Sequence, residues 1–97
     1  MGVKFGREYG DIINDFTQAL GSIDDLYTCF EMTKDDWNDL SGEEQEECVR
    51  TLADDLFYGL GSQPSLHVGG GTVTHDAQRH ILKVHTKPDI TSIVHLV

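Results

Sequence analysis

Basic side chains are scarce in this chain: seven Lys or Arg stand against seventeen Asp or Glu, a formal net charge of −10. That deficit argues against direct binding to nucleic acid, because phosphate recognition draws on a basic stripe that releases counterions, and no such stripe occurs. Long apolar runs are missing too. None approaches the eighteen or more residues of a membrane-spanning helix, and the opening MGVKFGREYGDI lacks the apolar stretch of a secretory signal, so the expected site of action is the cytoplasm. Cysteine is limited to Cys29 and Cys48. Neither has a CxxC partner and each lies in an apolar helical stripe, so both are expected as buried, reduced thiols. Catalytic signatures are lacking as well. There is no GxSxG and no GxxxxGK[ST], and GGGT follows a short strand without opening a helix that could hold a phosphate. Paired carboxylates abound but look exposed rather than set apart in a cleft as acid/base work requires, so no enzyme is expected.

What is present suits a folded chain. Ninety-seven residues make one domain, 1–97, large enough for one hydrophobic core, and four Phe, three Tyr and one Trp supply it with bulk. Charge divides this domain in two. Residues 1–60 hold fifteen Asp or Glu against four Lys or Arg, a net of −11, whereas residues 61–97 hold two against three, a net of +1. All five histidines fall in the second part.

The first part reads as helices. Phe5, Tyr9, Ile12, Ile13, Phe16 and Leu20 recur at three- and four-residue spacing and line one side of a helix that Gly21 ends. Ser22 begins a second cap, with Ile23, Leu26, Tyr27 and Phe30 as the apolar face behind it. Thr33 to Asp36 repeats that cap pattern before a short segment holding Trp37 and Leu40. In Ser41-Gly-Glu-Glu, Ser41 can accept from the Glu44 amide while the Glu44 side chain reaches back, which predicts a strong helix from about Gly42 to Leu60. On a wheel of about 100° per residue, Cys48, Val49, Leu52, Ala53, Leu56 and Leu60 gather on one side, with Leu52 and Leu56 at its centre, and Glu43, Glu47 and Asp54 gather opposite.

After Gly61 the pattern shifts to period two. Gln63-Pro64 breaks the helix, Gly69-Gly70-Gly71 makes a turn, and strands are expected at about 65–68, 72–76, 79–86 and 90–97. A hairpin through Lys87-Pro88-Asp89 would put Leu82, Val84, Ile90, Val94 and Leu96 on the covered face and Ile81, Lys83, His85, Thr91, Ile93 and His95 on the other. The expected fold class is α+β: N-terminal helices packed on one face of a small antiparallel C-terminal β-sheet. His75 and His80 could face each other across a hairpin beside Asp76, but a third ligand is not evident and no HxxxH spacing occurs. No metal or other cofactor is expected.

The carboxylates remain to be explained. Those in a helical first turn, such as Glu43 and Glu44, are favoured by the helix dipole at roughly 0.3–1 kcal/mol each. An ordinary solvated helix, however, interleaves Lys or Arg four residues after Glu, and here Glu43 meets Glu47 at that spacing while Arg50 is the only cation of the long helix. Repeated self-repulsion is tolerable where a cationic partner relieves it on binding. The candidate partner-binding residues are therefore Asp35, Asp36 and Asp39, then Glu43, Glu44, Glu46, Glu47, Asp54 and Asp55. Tyr58 joins them. With Phe57 it falls toward the polar side of the wheel, where it is either covered by a neighbouring element or serves as an aromatic interface anchor.

Rows of carboxylates at i, i+4 lie about 5–6 Å apart and form a line of negative charge comparable to a phosphate strand. In size, acidity, α+β character and lack of a catalytic motif the chain resembles the small DNA-mimic inhibitors of phages and mobile elements, of the anti-CRISPR or anti-restriction type. The resemblance covers the general character of residues 1–60. It implies a basic DNA-binding protein or CRISPR effector complex as partner. The alternative is an antitoxin or adaptor whose acidic face neutralises a basic protein.

Overall fold

A computed structural model describes residues 3–86 and 89–97. Helix α1 (Tyr9–Leu20) is followed by a 3-10 turn (Leu26–Phe30), the short α2 (Lys34–Asp39) and the long α3 (Gly42–Gly59). Strands β1 (Ser65–Val68), β2 (Gly71–Asp76), β3 (Ile81–Thr86) and β4 (Ile90–His95) then form an antiparallel meander in the order β1-β2-β3-β4. This is the α+β arrangement, with α1 packed against both α3 and β4. Lys87 and Pro88, two residues of the expected hairpin turn, lie outside the described residues.

The register follows from which strand residues are apolar. Leu82 pairs with Val94 and Val84 with Val73, so one face carries Val68, Val73, Leu82, Val84 and Val94, all buried. Ile12, Phe16 and Leu20 of α1 enter the same core, because their three- and four-residue spacing keeps them on one side. The chain before α1 is bonded to the far end of the sheet: the amides of Gly6 and Arg7 donate to the Leu96 carbonyl at 2.7 and 3.1 Å. The helical part and the sheet are also joined through glycine. A Cβ on Gly71 would lie 2.9 Å from the His85 carbonyl and 2.9 Å from Ile23 Cδ1, so glycine permits Ile23 to seat on the sheet. Gly69 has a φ of +57°, and the next amide, of Gly70, donates to Asp25 Oδ1 at 2.8 Å.

Several expectations need correction. The first helix begins at Tyr9, not Phe5, whose ring instead packs edge-on against Phe57. Ser22 caps nothing; its hydroxyl donates back to the Ala19 carbonyl, and the segment behind it tightens into a 3-10 turn. Cys29 on that turn is exposed and Cys48 is half-buried, so neither is a core thiol, although both are free. The buried stripe of α3 is Val49, Ala53 and Phe57, continued by Leu60 beyond its end, while Leu52 and Leu56 are only partly buried at its edge. The stripe is displaced because α3 lies against α1 and the Phe5–Tyr9 rings, which cover Phe57. Strand β3 starts at Ile81 and β4 ends at His95, since His80 turns the chain with a φ of +55°. Ile90 has the expected parity but is 50% exposed at the hairpin end. Ile81, on the opposite face, is buried between Asp76 and His95, its neighbours across the sheet.

Candidate functional site

Two caps position the acidic segment. The Asp36 amide donates to Thr33 Oγ1 at 3.1 Å, starting α2. At α3 the reciprocal box is complete: the Glu44 amide donates to Ser41 Oγ at 3.2 Å and the Ser41 amide to Glu44 Oε1 at 2.9 Å. The bond from the Ser41 amide, and after it the Ser41 side chain, favours the charged carboxylate and holds Glu44 below its ordinary value of 4.5. Glu44 thus builds the helix as well as carrying charge.

Helix α2 buries no residue. It is pinned by the Gln45 Nε2 donor to the Trp37 carbonyl at 2.7 Å, and by Trp37 stacking on Phe30 with ring centroids 5.6 Å apart and planes at 9°. Asp35, Asp36 and Asp39 therefore stand out from α2, and Glu43, Glu44, Glu46, Glu47, Asp54 and Asp55 stand out from α3; all nine are exposed. Among the described residues none of them lies within ion-pair distance of a cation. Arg50 is placed four residues after Glu46 to pair with it, yet its guanidinium bonds to Asn14 on α1. Arg7 pairs with Asp15 at 2.9 Å, outside this surface. Among the described residues no helical segment carries a basic residue in its last turn, and Asp39 is the final residue of α2, where the carbonyl end of the dipole opposes negative charge.

Asp54 differs from the rest. It accepts a hydrogen bond from the Tyr9 hydroxyl at 2.7 Å, joining α1 to α3. Burial of the phenol, with help from that bond and from the Asp54 charge, pushes Tyr9 up to about 12. Phe57 and Tyr58 part company. Phe57 is 7% exposed beneath Phe5 and Tyr9, its ring edge-on to both, whereas Tyr58 is 84% exposed. Covering thus accounts for Phe57, and Tyr58 stands free beside the acidic surface.

Sequence reasoning missed the clefts on either side of the Phe30–Trp37 stack. Trp37 lines one, of about 410 Å³, with Asp24, Gln45 and Glu46; Phe30 lines the other, of similar volume, with Glu44 and Glu47. Only the spacing of Phe30 and Trp37, seven residues apart across a cap, could have hinted at the stack. On the sheet, His75 pairs with Leu82 in the ladder and His80 sits in the following turn, while Asp76 is taken up by Arg79 and Lys83. No helix among the described residues is long and apolar enough to cross a membrane. Among the described residues the arrangement offers a broad negative surface without ion-pair partners, with Tyr58 the most exposed aromatic beside it. No protein family matches the chain, and neither curated proteins nor solved structures yield a match.

Proposed function

We propose that this chain is an acidic DNA-mimic inhibitor, a binding protein rather than an enzyme. It occupies the positively charged DNA-binding surface of a nucleic-acid-handling complex, such as a CRISPR surveillance complex, in the cytoplasm of a bacterial host, and so blocks target DNA. The observation that carries this reading is the set of nine exposed carboxylates on α2 and α3 without an ion-pair partner among the described residues. A surface shaped only for solubility would pair part of that charge, since i, i+4 ion pairs help by about 0.2–0.5 kcal/mol each. A cationic groove supplies the missing counter-charge, and long-range attraction speeds encounter. Tyr58 then serves as the apolar contact that slows release.

The test is capture from lysates of bacteria that carry CRISPR and restriction systems. Immobilised protein is expected to retain a DNA-binding complex that duplex DNA elutes, and to lose it when Asp39, Glu43 and Glu47 are all reversed to Lys. Recovery of one small basic protein that duplex DNA does not displace would overturn mimicry in favour of neutralisation.

A further inference from the structure

The Phe30–Trp37 stack divides two clefts of similar size, and the one on the Trp37 side has the fuller set of features for a specific guest. Its volume, about 410 Å³, falls in the roughly 300–1,000 Å³ range of ligand pockets. Its walls are the end of α1, the chain after it, α2 and the first turns of α3. Asp24 and Glu46 supply two exposed carboxylates, neither paired with a cation among the described residues. The carboxyl end of α1 reaches the cleft with no basic residue in its last turn, which adds partial negative charge. Glu43 and Glu44 in the first turn of α3 offset the opposing end of that helix's dipole. Trp37 contributes the aromatic ring that attracts cations most strongly. The Gln45 bond to its carbonyl and the stack on Phe30 fix its place.

A planar, weakly hydrated cation on an apolar stem suits this set: it can stack on indole while its N–H groups reach two carboxylates. That describes a guanidinium better than an ammonium. We infer that the Trp37 cleft is the specificity pocket of the acidic surface and receives an arginine side chain from a basic segment of the partner protein. The inference rests on the proposed function only in taking the partner to be a basic protein. It makes recognition depend on one seated arginine as well as on total charge, with Ile23, Leu26 and Val49 at the cleft floor taking the aliphatic stem.

Trp37 is the only tryptophan in the chain, so its emission reports on the cleft. The probe is a tetra-arginine peptide titrated into the intact protein at low ionic strength, with tetra-lysine in parallel. A saturable change in emission is expected, tighter for tetra-arginine than for tetra-lysine. The Asp24→Asn/Glu46→Gln variant is expected to bind tetra-arginine at least about fivefold more weakly, with unchanged circular dichroism. Neutralising the same number of charges at the start of α1, by Glu8→Gln/Asp11→Asn, is expected to change binding by less than about twofold. Equal weakening in both variants, equal affinity for the two peptides, or an emission change that never saturates would each overturn the pocket. The two proposals fail separately. Cleft-dependent peptide binding, together with a captured partner that duplex DNA does not displace, removes mimicry and keeps the pocket. DNA-sensitive capture with no dependence on Asp24 and Glu46 does the reverse.

Discussion

Carboxylates of the sheet and carboxylates of α2 and α3 live in opposite surroundings. Asp76 accepts from the amides of Gln78 and Arg79 at 3.2 and 3.1 Å, and both Arg79 and Lys83 approach it at 3.9 Å. Asp89, the other acid of residues 61–97, lies 3.9 Å from His85 Nε2. On α2 and α3, nine carboxylates have no cation within ion-pair distance among the described residues, although Glu44 and Asp54 accept hydrogen bonds, and Arg50 is turned to Asn14. One chain thus sets Asp76 between two cations and Asp89 beside an imidazole that is a counter-charge only when protonated, and leaves the carboxylates of α2 and α3 without a cation among the described residues. The difference teaches that the acidity is placed, not diffuse: Asp39, Glu47 and Asp55 are set against the stability of the isolated protein, which is intelligible where a partner completes the surface.

The comparison holds only if both regions belong to one cooperative unit, and the largest expected effect tests that. Phe16 is fully buried between the two. Phe16→Ala is expected to cost about 3–5 kcal/mol, and urea unfolding followed by Trp37 emission and by far-UV circular dichroism should shift together. If Trp37 emission keeps its wild-type transition while the dichroism moves, the regions are independent and the contrast is between two units.

A smaller effect separates carboxylates that build helix from those that only carry charge. Ser41→Ala is expected to destabilise by about 1 kcal/mol through loss of the cap. Alanine keeps the Ser41 backbone amide that holds Glu44 below its ordinary value of 4.5, so the pH signature is read in Glu44→Gln, which removes the carboxylate itself. A group with a depressed folded-state pKa stabilises above its unfolded value and loses that contribution as pH falls through the folded one. The gap between wild type and Glu44→Gln should therefore narrow below about pH 4.5, and a gap that widens there would contradict the assignment of Glu44.

The smallest expected effect on stability belongs to Tyr58. Tyr58→Ala should change unfolding free energy by less than about 0.5 kcal/mol, as exposed positions do, while speeding dissociation from the captured partner. A large drop in melting temperature would return Tyr58 to the core and leave the carboxylates acting alone.

The caps at Thr33 and Ser41, the limits of β1 and the covered sheet face were legible in the sequence because each is a local rule. Ser41 with Glu44 closes a box wherever a helix begins there, and alternation of Val, Ile and Leu fixes which side of a strand is buried. The phase of α3 was not legible. A wheel ranks Leu52 and Leu56 above Phe57, but burial depends on where α1 and the Phe5–Tyr9 rings lie, and those are tertiary facts. The 3-10 turn escaped for a related reason: Asp25, three residues after Ser22, is engaged by the Gly70 amide. Cys29 is exposed because that turn has no helical stripe to bury it. Of the candidate site, the exposure of the carboxylates could be read in advance, whereas the sequence leaves Tyr58 open between cover and exposure, and the Phe30–Trp37 partition could not be read, since stacking across a cap has no sequence period.

The most direct test of the central claim, that α2 and α3 hold charge against their own stability, needs no partner. Asp39→Asn removes a charge from the wrong end of a dipole, Glu47→Gln ends a like-charge pair with Glu43, and Asp55→Asn relieves the end of a helix that has no basic residue in its last turn. The triple variant, melted at low ionic strength beside wild type, is predicted to gain about 1 kcal/mol, or about 4–8 °C for a chain of this size. The gain should fade as salt is added. A triple variant that melts at or below the wild-type temperature at low salt would contradict the account, because these carboxylates would then be serving the fold.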